Sequence, residues 1–261
     1  YAVDSHNINI FDISDLDNPQ DLEDVYAGFD IETIFNQGNY LFLGSMRGMY
    51  IYDITSPAAP TLVSEFQHGT ACDPVVVDGD YAYVTLRGGN WCGATESGLF
   101  IVDLSNIESP ELVESYPLDG PYGLGVKDEK LFVCDGSSGL KVYDKTDIHD
   151  LQELNHFDDI VTFDVIPLDS HLIMVGDGVL YQYEYLDNNI KLLSQIGLNW
   201  KNILKEEPKY PVFSGIFFWY GLHKNPKIEK LIYFCYHKTL CMPKNLVIVE
   251  SPAKAKTIER F

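Results

Sequence analysis

In this 261-residue chain an aspartate followed two positions later by a hydroxyl residue recurs as Asp12 with Ser14, Asp53 with Thr55, Asp103 with Ser105 and Asp144 with Thr146. A carboxylate beside a hydroxyl could hold a hard cation. The same pair also builds an Asx-type turn, in which the carboxylate accepts backbone N–H groups that would otherwise go unpaired. A feature that returns at near-regular spacing serves every unit of a repeat rather than one site, so the spacing predicts turns. Asp15, Asp17 and Asn18 form a D-x-D-N cluster. The EF-hand calcium loop needs a glycine at its sixth position and a distal glutamate, and neither is in place.

Other chemistry-bearing patterns are missing from the sequence. It contains no G-x-S-x-G, no H-E-x-x-H, no C-x-x-C and no glycine-rich phosphate loop. His68, His149, His156 and His171 are scattered through turns and strand starts. The chain is therefore expected not to be an enzyme and to need no metal or other cofactor. Cys72 and Cys92 flank one region, the second inside the loop 88–97. A bridge between them would close a loop of about twenty residues and contribute about 2 to 4 kcal/mol; two free buried thiols are the alternative. Cys134 lies within the apolar run LFVCD and is expected in the core.

The elements that must position these residues are legible as an internal repeat. NINIFD at 7–12, MYIYD at 49–53, LFIVD at 99–103, LKVYD at 140–144 and LYQYE at 180–184 are one phrase returning five times. Their acidic ends, at 12, 53, 103, 144 and 184, are separated by steps of 41, 50, 41 and 40, the long step reflecting an insertion at 88–97. Around each phrase come a first apolar run (30–35, 74–77, 123–126, 163–166), a second (40–44, 81–86, 130–134, 171–175), and a last run after a polar link. Apolar residues alternate over short stretches and no window keeps helical spacing. Each unit is expected to be four short strands in meander order.

Four-stranded units of this period suit the blades of a β-propeller. The fold class expected is all-β, with four full blades after a partial first one, at about 1–27, 28–67, 68–118, 119–158 and 159–197, followed by a non-repetitive tail. Over roughly residues 1–196 the chain resembles the LVIVD-repeat family, whose naming phrase LFIVD at 99–103 matches at four of five positions. Pro19, Pro60 and Pro110 each follow seven residues after an Asp of the phrase, again like that family. The resemblance implies a bacterial propeller of the exported or surface-associated kind, and no particular chemistry. It also favours a Cys72–Cys92 disulfide.

Aligning the repeats places Glu32, Asp73, Tyr122 and Phe163 in one column and Thr33, Pro74, Gly123 and Asp164 in the next. Columns at the innermost strands that vary from blade to blade can build an asymmetric pocket at the channel mouth; packing the channel is the other role open to them. The insertion supplies Arg87, Asn90 and Trp91 as a second candidate surface. The ligand-binding candidates are thus Glu32, Asp73, Tyr122, Phe163, Asp164, Arg87 and Trp91.

Charge divides the chain. Residues 1–200 hold 7 Lys and Arg against 34 Asp and Glu, a net −27, while 201–261 hold 11 against 5, a net +6, together the −21 of the whole. An acidic propeller repels phosphate backbones, so nucleic acid is not expected as its partner. The stretch 201–241 is basic, aromatic and without period, and its apolar part at 212–222 falls short of the roughly twenty residues that span a bilayer.

Residues 242–261, MPKNLVIVESPAKAKTIERF, resemble the start of bacterial type IA DNA topoisomerases. The resemblance implies that Glu250 corresponds to that family's catalytic acidic residue and Lys254 to the lysine of S-P-A-K. The further carboxylates such a site requires are not in this chain, so activity is not expected of the segment. Its presence suggests a reading frame that has run from the propeller into a neighbouring gene, the propeller itself being a fragment that begins within a blade. The function expected is a non-catalytic extracytoplasmic binding or scaffold module for a protein, glycan or small molecule. Part of a topoisomerase-like protein is the alternative.

Overall fold

The computed structural model describes residues 1–15, 17–67, 74–88, 96–186 and 188–197. Every regular element among them is a β-strand. The first unit holds β1 (Ala2–Val3), β2 (Asn7–Asn9), β3 (Phe11–Asp12), β4 (Gln20–Asp21) and β5 (Val25–Tyr26), paired as a three-stranded sheet β1-β2-β5 and a short β3-β4 ribbon. Four complete blades follow, each an antiparallel meander of consecutive strands.

Blade two is β6 (Ile31–Gln37), β7 (Tyr40–Ser45), β8 (Gly48–Asp53) and β9 (Thr61–Gln67). Blade three is β10 (Val75–Asp78), β11 (Tyr81–Leu86), β12 (Gly98–Asp103) and β13 (Glu111–Pro117). Blade four is β14 (Leu124–Lys127), β15 (Lys130–Cys134), β16 (Leu140–Asp144) and β17 (Gln152–Phe157). Blade five is β18 (Asp164–Pro167), β19 (His171–Gly176), β20 (Val179–Leu186) and β21 (Asn189–Gly197). The architecture is the β-propeller that the repeat predicts.

Period-two alternation explains how the blades stack, because successive side chains on a strand point to opposite faces. Leu41 and Leu43 of β7 pack with Ile8, Ile34 and Tyr52 on the first-blade side. Phe42, between them in sequence, packs with Val75, Val77, Ala82 and Val84 of blade three. One blade further, Tyr83 faces Leu99, Leu131 and Val133, and then Phe132 and Cys134 face Val165, Leu172 and Met174. Second strands are buried on both faces for this reason, while the outer strands β9, β13 and β17 stay largely exposed. Cys134 is a fully buried free thiol whose pKa burial pushes well up, in keeping with a core role.

Each third strand slips register against its outer neighbour at the same point, leaving Val63, Val113, Leu154 and Leu193 as extra residues. A bulge of this kind adds right-handed twist locally, so the repeat carries its blade curvature with it.

The aspartates of the signature phrase are turn-makers. Asp12, Asp53, Asp103 and Asp144 accept the backbone N–H of Ser14, Thr55, Ser105 and Thr146 at 2.9, 2.6, 2.7 and 2.9 Å. These bonds hold their carboxyls below the ordinary range, the first cause being the backbone N–H for Asp12 and Asp103 and the hydroxyl for Asp53 and Asp144.

In all four complete blades the innermost strand begins one residue later than the apolar run suggests, Asp30 preceding β6. Pro74, Gly123 and Phe163 precede β10, β14 and β18 rather than belonging to them. All three already bond the second strand, Pro74 O accepting from Thr85 N–H, Gly123 O accepting from Cys134 N–H and Phe163 N–H donating to Val175 O. At the opposite end, blades are tied by polar bonds. Gln37 donates to Gly79 O at 2.8 Å and accepts Gly79 N–H at 2.9 Å, and the Lys145 ammonium donates to Asp78.

Candidate binding site at the inner mouth

The inner strands β6, β10, β14 and β18 pack against one another in sequence. The end at which they start is also the end at which the second strands stop, so residues after β11 and residues before β14 and β18 share one mouth. Three candidates meet there. Arg87, one residue beyond β11, places its guanidinium carbon 3.8 Å from the centroid of the Tyr122 ring. The Tyr122 ring in turn lies 4.8 Å from that of Phe163, inclined by 54°. The row Arg87–Tyr122–Phe163 takes one side chain from each of blades three, four and five.

The backbone on either side holds this row in place. Thr85, fully buried in β11, donates its hydroxyl to Tyr122 O. Tyr122 N–H donates to Cys134 O at 2.7 Å, Gly123 N–H to Phe163 O at 2.8 Å and Phe163 N–H to Val175 O at 2.7 Å. Ahead of Tyr122, the fully buried Asp135 carboxylate accepts Gly120 N–H at 2.8 Å, Asp119 N–H at 3.2 Å and the Lys141 ammonium at 2.7 Å. A buried carboxylate is tolerated only when paired and hydrogen-bonded, and here its partners tether the approach to the Tyr122 ring. The seam between blades four and five is closed by Thr162, whose N–H reaches Gly136 O at 3.1 Å and whose hydroxyl reaches Gly139 O at 2.8 Å.

Asp164 opens β18 directly behind Phe163. It accepts Val165 N–H at 2.9 Å. Burial pushes its carboxyl well above the usual carboxylate range, with the Val165 bond opposing the shift. The residue as a whole is only partly buried, while its carboxyl lies against Val165 N–H and Gly123. Gly123 makes this packing feasible: a Cβ there would overlap the Asp164 carboxylate and stand 3.0 Å from Asp164 Cα.

The Arg87 head is electrostatically incomplete. Among the described residues, its buried Nη1 has no hydrogen-bond partner. The Lys141 ammonium is engaged by Asp135.

Of the sequence candidates, the structure thus unites Arg87, Tyr122 and Phe163, with Asp164 adjoining. Glu32 lies half-buried in β6, two blades before Tyr122, beside the register shift between Ile31 and Thr33. Cys72, Asp73, Asn90, Trp91, Cys92, Glu250 and Lys254 lie outside the described residues. Sequence reasoning missed Thr85, Asp135, Lys141 and Thr162. The Asp-Gly pair 135–136 at the end of a second run is the one local signal that could have drawn attention to Asp135.

Comparison with known proteins agrees with the fold. The LVIVD repeat model matches residues 32–67 and 68–117, so the chain is a β-propeller that carries LVIVD repeats. No curated protein matches it. Among solved structures it is similar to AztD from Citrobacter koseri, with 12% identity over 83% of this chain and 55% of that one and a TM-score of 0.51. It is also similar to the glutaminyl cyclase of Myxococcus xanthus, with 12% identity, 84% and 91% covered and a TM-score of 0.52. A protein from Lactobacillus plantarum gives 9% identity, 87% and 73% covered and a TM-score of 0.54. Such identities show the fold alone. The chain spans little more than half the length of AztD, at 55%. The repeat match ends at residue 117 and lends nothing to the topoisomerase resemblance of residues 242–261.

Proposed function

We propose that this propeller is a non-catalytic binding module acting outside the cytoplasm, and that Arg87, Tyr122 and Phe163 at the inner mouth form its ligand site. The observation that carries the reading is the buried, unpaired Nη1 of Arg87 above the Tyr122 ring. A desolvated donor without an acceptor destabilises the fold, so its retention at a channel mouth fits a group kept for something that docks there. Two aromatic rings beside it supply apolar contact area at low entropic cost. The net −27 of residues 1–200 and the export that the LVIVD-repeat resemblance implies support the extracytoplasmic setting.

The test is ultrafiltration of the purified chain against a small-molecule extract of its native cells, with retained compounds read by mass spectrometry. A compound enriched by the wild type and lost by Tyr122→Ala supports the site. Equal enrichment by both proteins, or enrichment by neither, sinks it.

A further inference from the structure

Resting on that reading, we infer that the mouth takes a small monoanionic carboxylate joined to a flat apolar body, the carboxylate on the Arg87 edge and the body on the Tyr122 and Phe163 rings. The argument begins with the geometry of the guanidinium. One face of Arg87 is covered by the Tyr122 ring at 3.8 Å, so what its N–H groups can offer a ligand lies in the guanidinium plane. A planar fork of donors matches the paired oxygens of a carboxylate or a phosphate, and Nη1 is the donor that lacks an acceptor among the described residues.

Charge count narrows the ligand further. One guanidinium balances one negative charge, while the net −27 of residues 1–200 opposes the approach of a polyanion. Lys141 is held by Asp135 at 2.7 Å and so does not add a second positive charge to the row. Asp164 adjoins the row through Phe163, and burial pushes its carboxyl well above the usual carboxylate range, which weakens the repulsion it would offer an anion. The tilted ring pair, with centroids 4.8 Å apart, offers apolar surface beside the charged end. A ligand with an anionic head and an aromatic or flat aliphatic body satisfies all three groups at once.

The experiment titrates the full chain with phenylacetate, phenylacetamide and 2-phenylethylammonium, three probes sharing a ring and differing in head charge, followed by calorimetry and ligand-observed NMR. Phenylacetate is expected to bind at least about tenfold more tightly than the amide, a difference of about 1.4 kcal/mol, and the ammonium more weakly still. Arg87→Gln is expected to erase the preference for the acid over the amide. Arg87→Lys, which keeps the charge but not the planar fork, is expected to keep part of it. Both variants are checked by thermal unfolding, so that loss of fold is not read as loss of binding. Equal binding of acid and amide by the wild type, or tighter binding of the ammonium, overturns the carboxylate inference and leaves a mouth that binds by its rings. Failure of all three probes to bind overturns the site itself.

Discussion

The Arg87 guanidinium carbon stands 3.8 Å above the Tyr122 ring although the two residues belong to different blades. The pair links the end of β11 to the approach of β14, and the Thr85 hydroxyl bonded to Tyr122 O anchors the same junction. The candidate ligand site and the blade stacking therefore meet at one point.

Two opposed effects act on Arg87. Its unpaired buried nitrogen costs about 1 to 3 kcal/mol, while the ring contact returns about 0.5 to 2 kcal/mol. Arg87→Met keeps the aliphatic bulk and removes both terms. Denaturant unfolding should show it as stable as the wild type or more so by about 1 kcal/mol, with phenylacetate binding lost. Clear destabilisation would mean that the guanidinium serves the fold.

Tyr122→Ala removes a half-buried ring between Arg87 and Phe163 and should cost about 2 kcal/mol, somewhat less than a fully buried aromatic. The same variant is the binding knockout of the extract experiment, so its unfolding midpoint must be known first. A loss beyond about 4 kcal/mol would be exceptional for one residue and would point to collapse of the mouth.

Asp164 gives a pH signature. Its carboxyl is pushed up in the folded protein, whereas the unfolded chain releases that proton near about pH 3.9. Below that value both states are protonated and Asp164 carries no penalty. As pH rises, the unfolded state ionises first and stability falls until the folded pKa is passed. Asp164→Asn removes the effect, so its melting temperature minus that of the wild type should grow as pH climbs from about 4. A pH-independent difference would show that Asp164 ionises normally.

Gly123 tests the close approach of blades four and five. Gly123→Ala places a methyl group against the Asp164 carboxylate and within 3.0 Å of Asp164 Cα, and overpacking of this kind costs about 1 to 3 kcal/mol. Adding Asp164→Ala should recover part of the loss, giving a coupling above about 0.5 kcal/mol in a double-mutant cycle. Strict additivity would mean that the two residues do not press on each other.

For the extracytoplasmic reading, a non-reducing peptide map of protein isolated from its native cells should show Cys72 joined to Cys92. Free thiols at both positions in freshly alkylated material would argue for a reducing compartment.

The turns and the stacking were legible in the sequence because both depend on near neighbours. An aspartate two residues before a serine or threonine bonds its own backbone wherever the strand ends, as Asp12, Asp53, Asp103 and Asp144 do. Alternation along β7 sends Leu41 and Leu43 one way and Phe42 the other, whatever the rest of the chain does. Repeat alignment also singled out Tyr122, Phe163 and Asp164, since a shared place in the blade becomes a shared height in the channel. Only the tertiary structure decided that Arg87 turns onto Tyr122, that Asp135 is buried beneath residues 119–120, and that Gly123 yields its side-chain space to Asp164. Those relationships depend on how closely neighbouring blades approach, and that distance follows from the combined packing of side chains across two seams rather than from any one stretch of sequence.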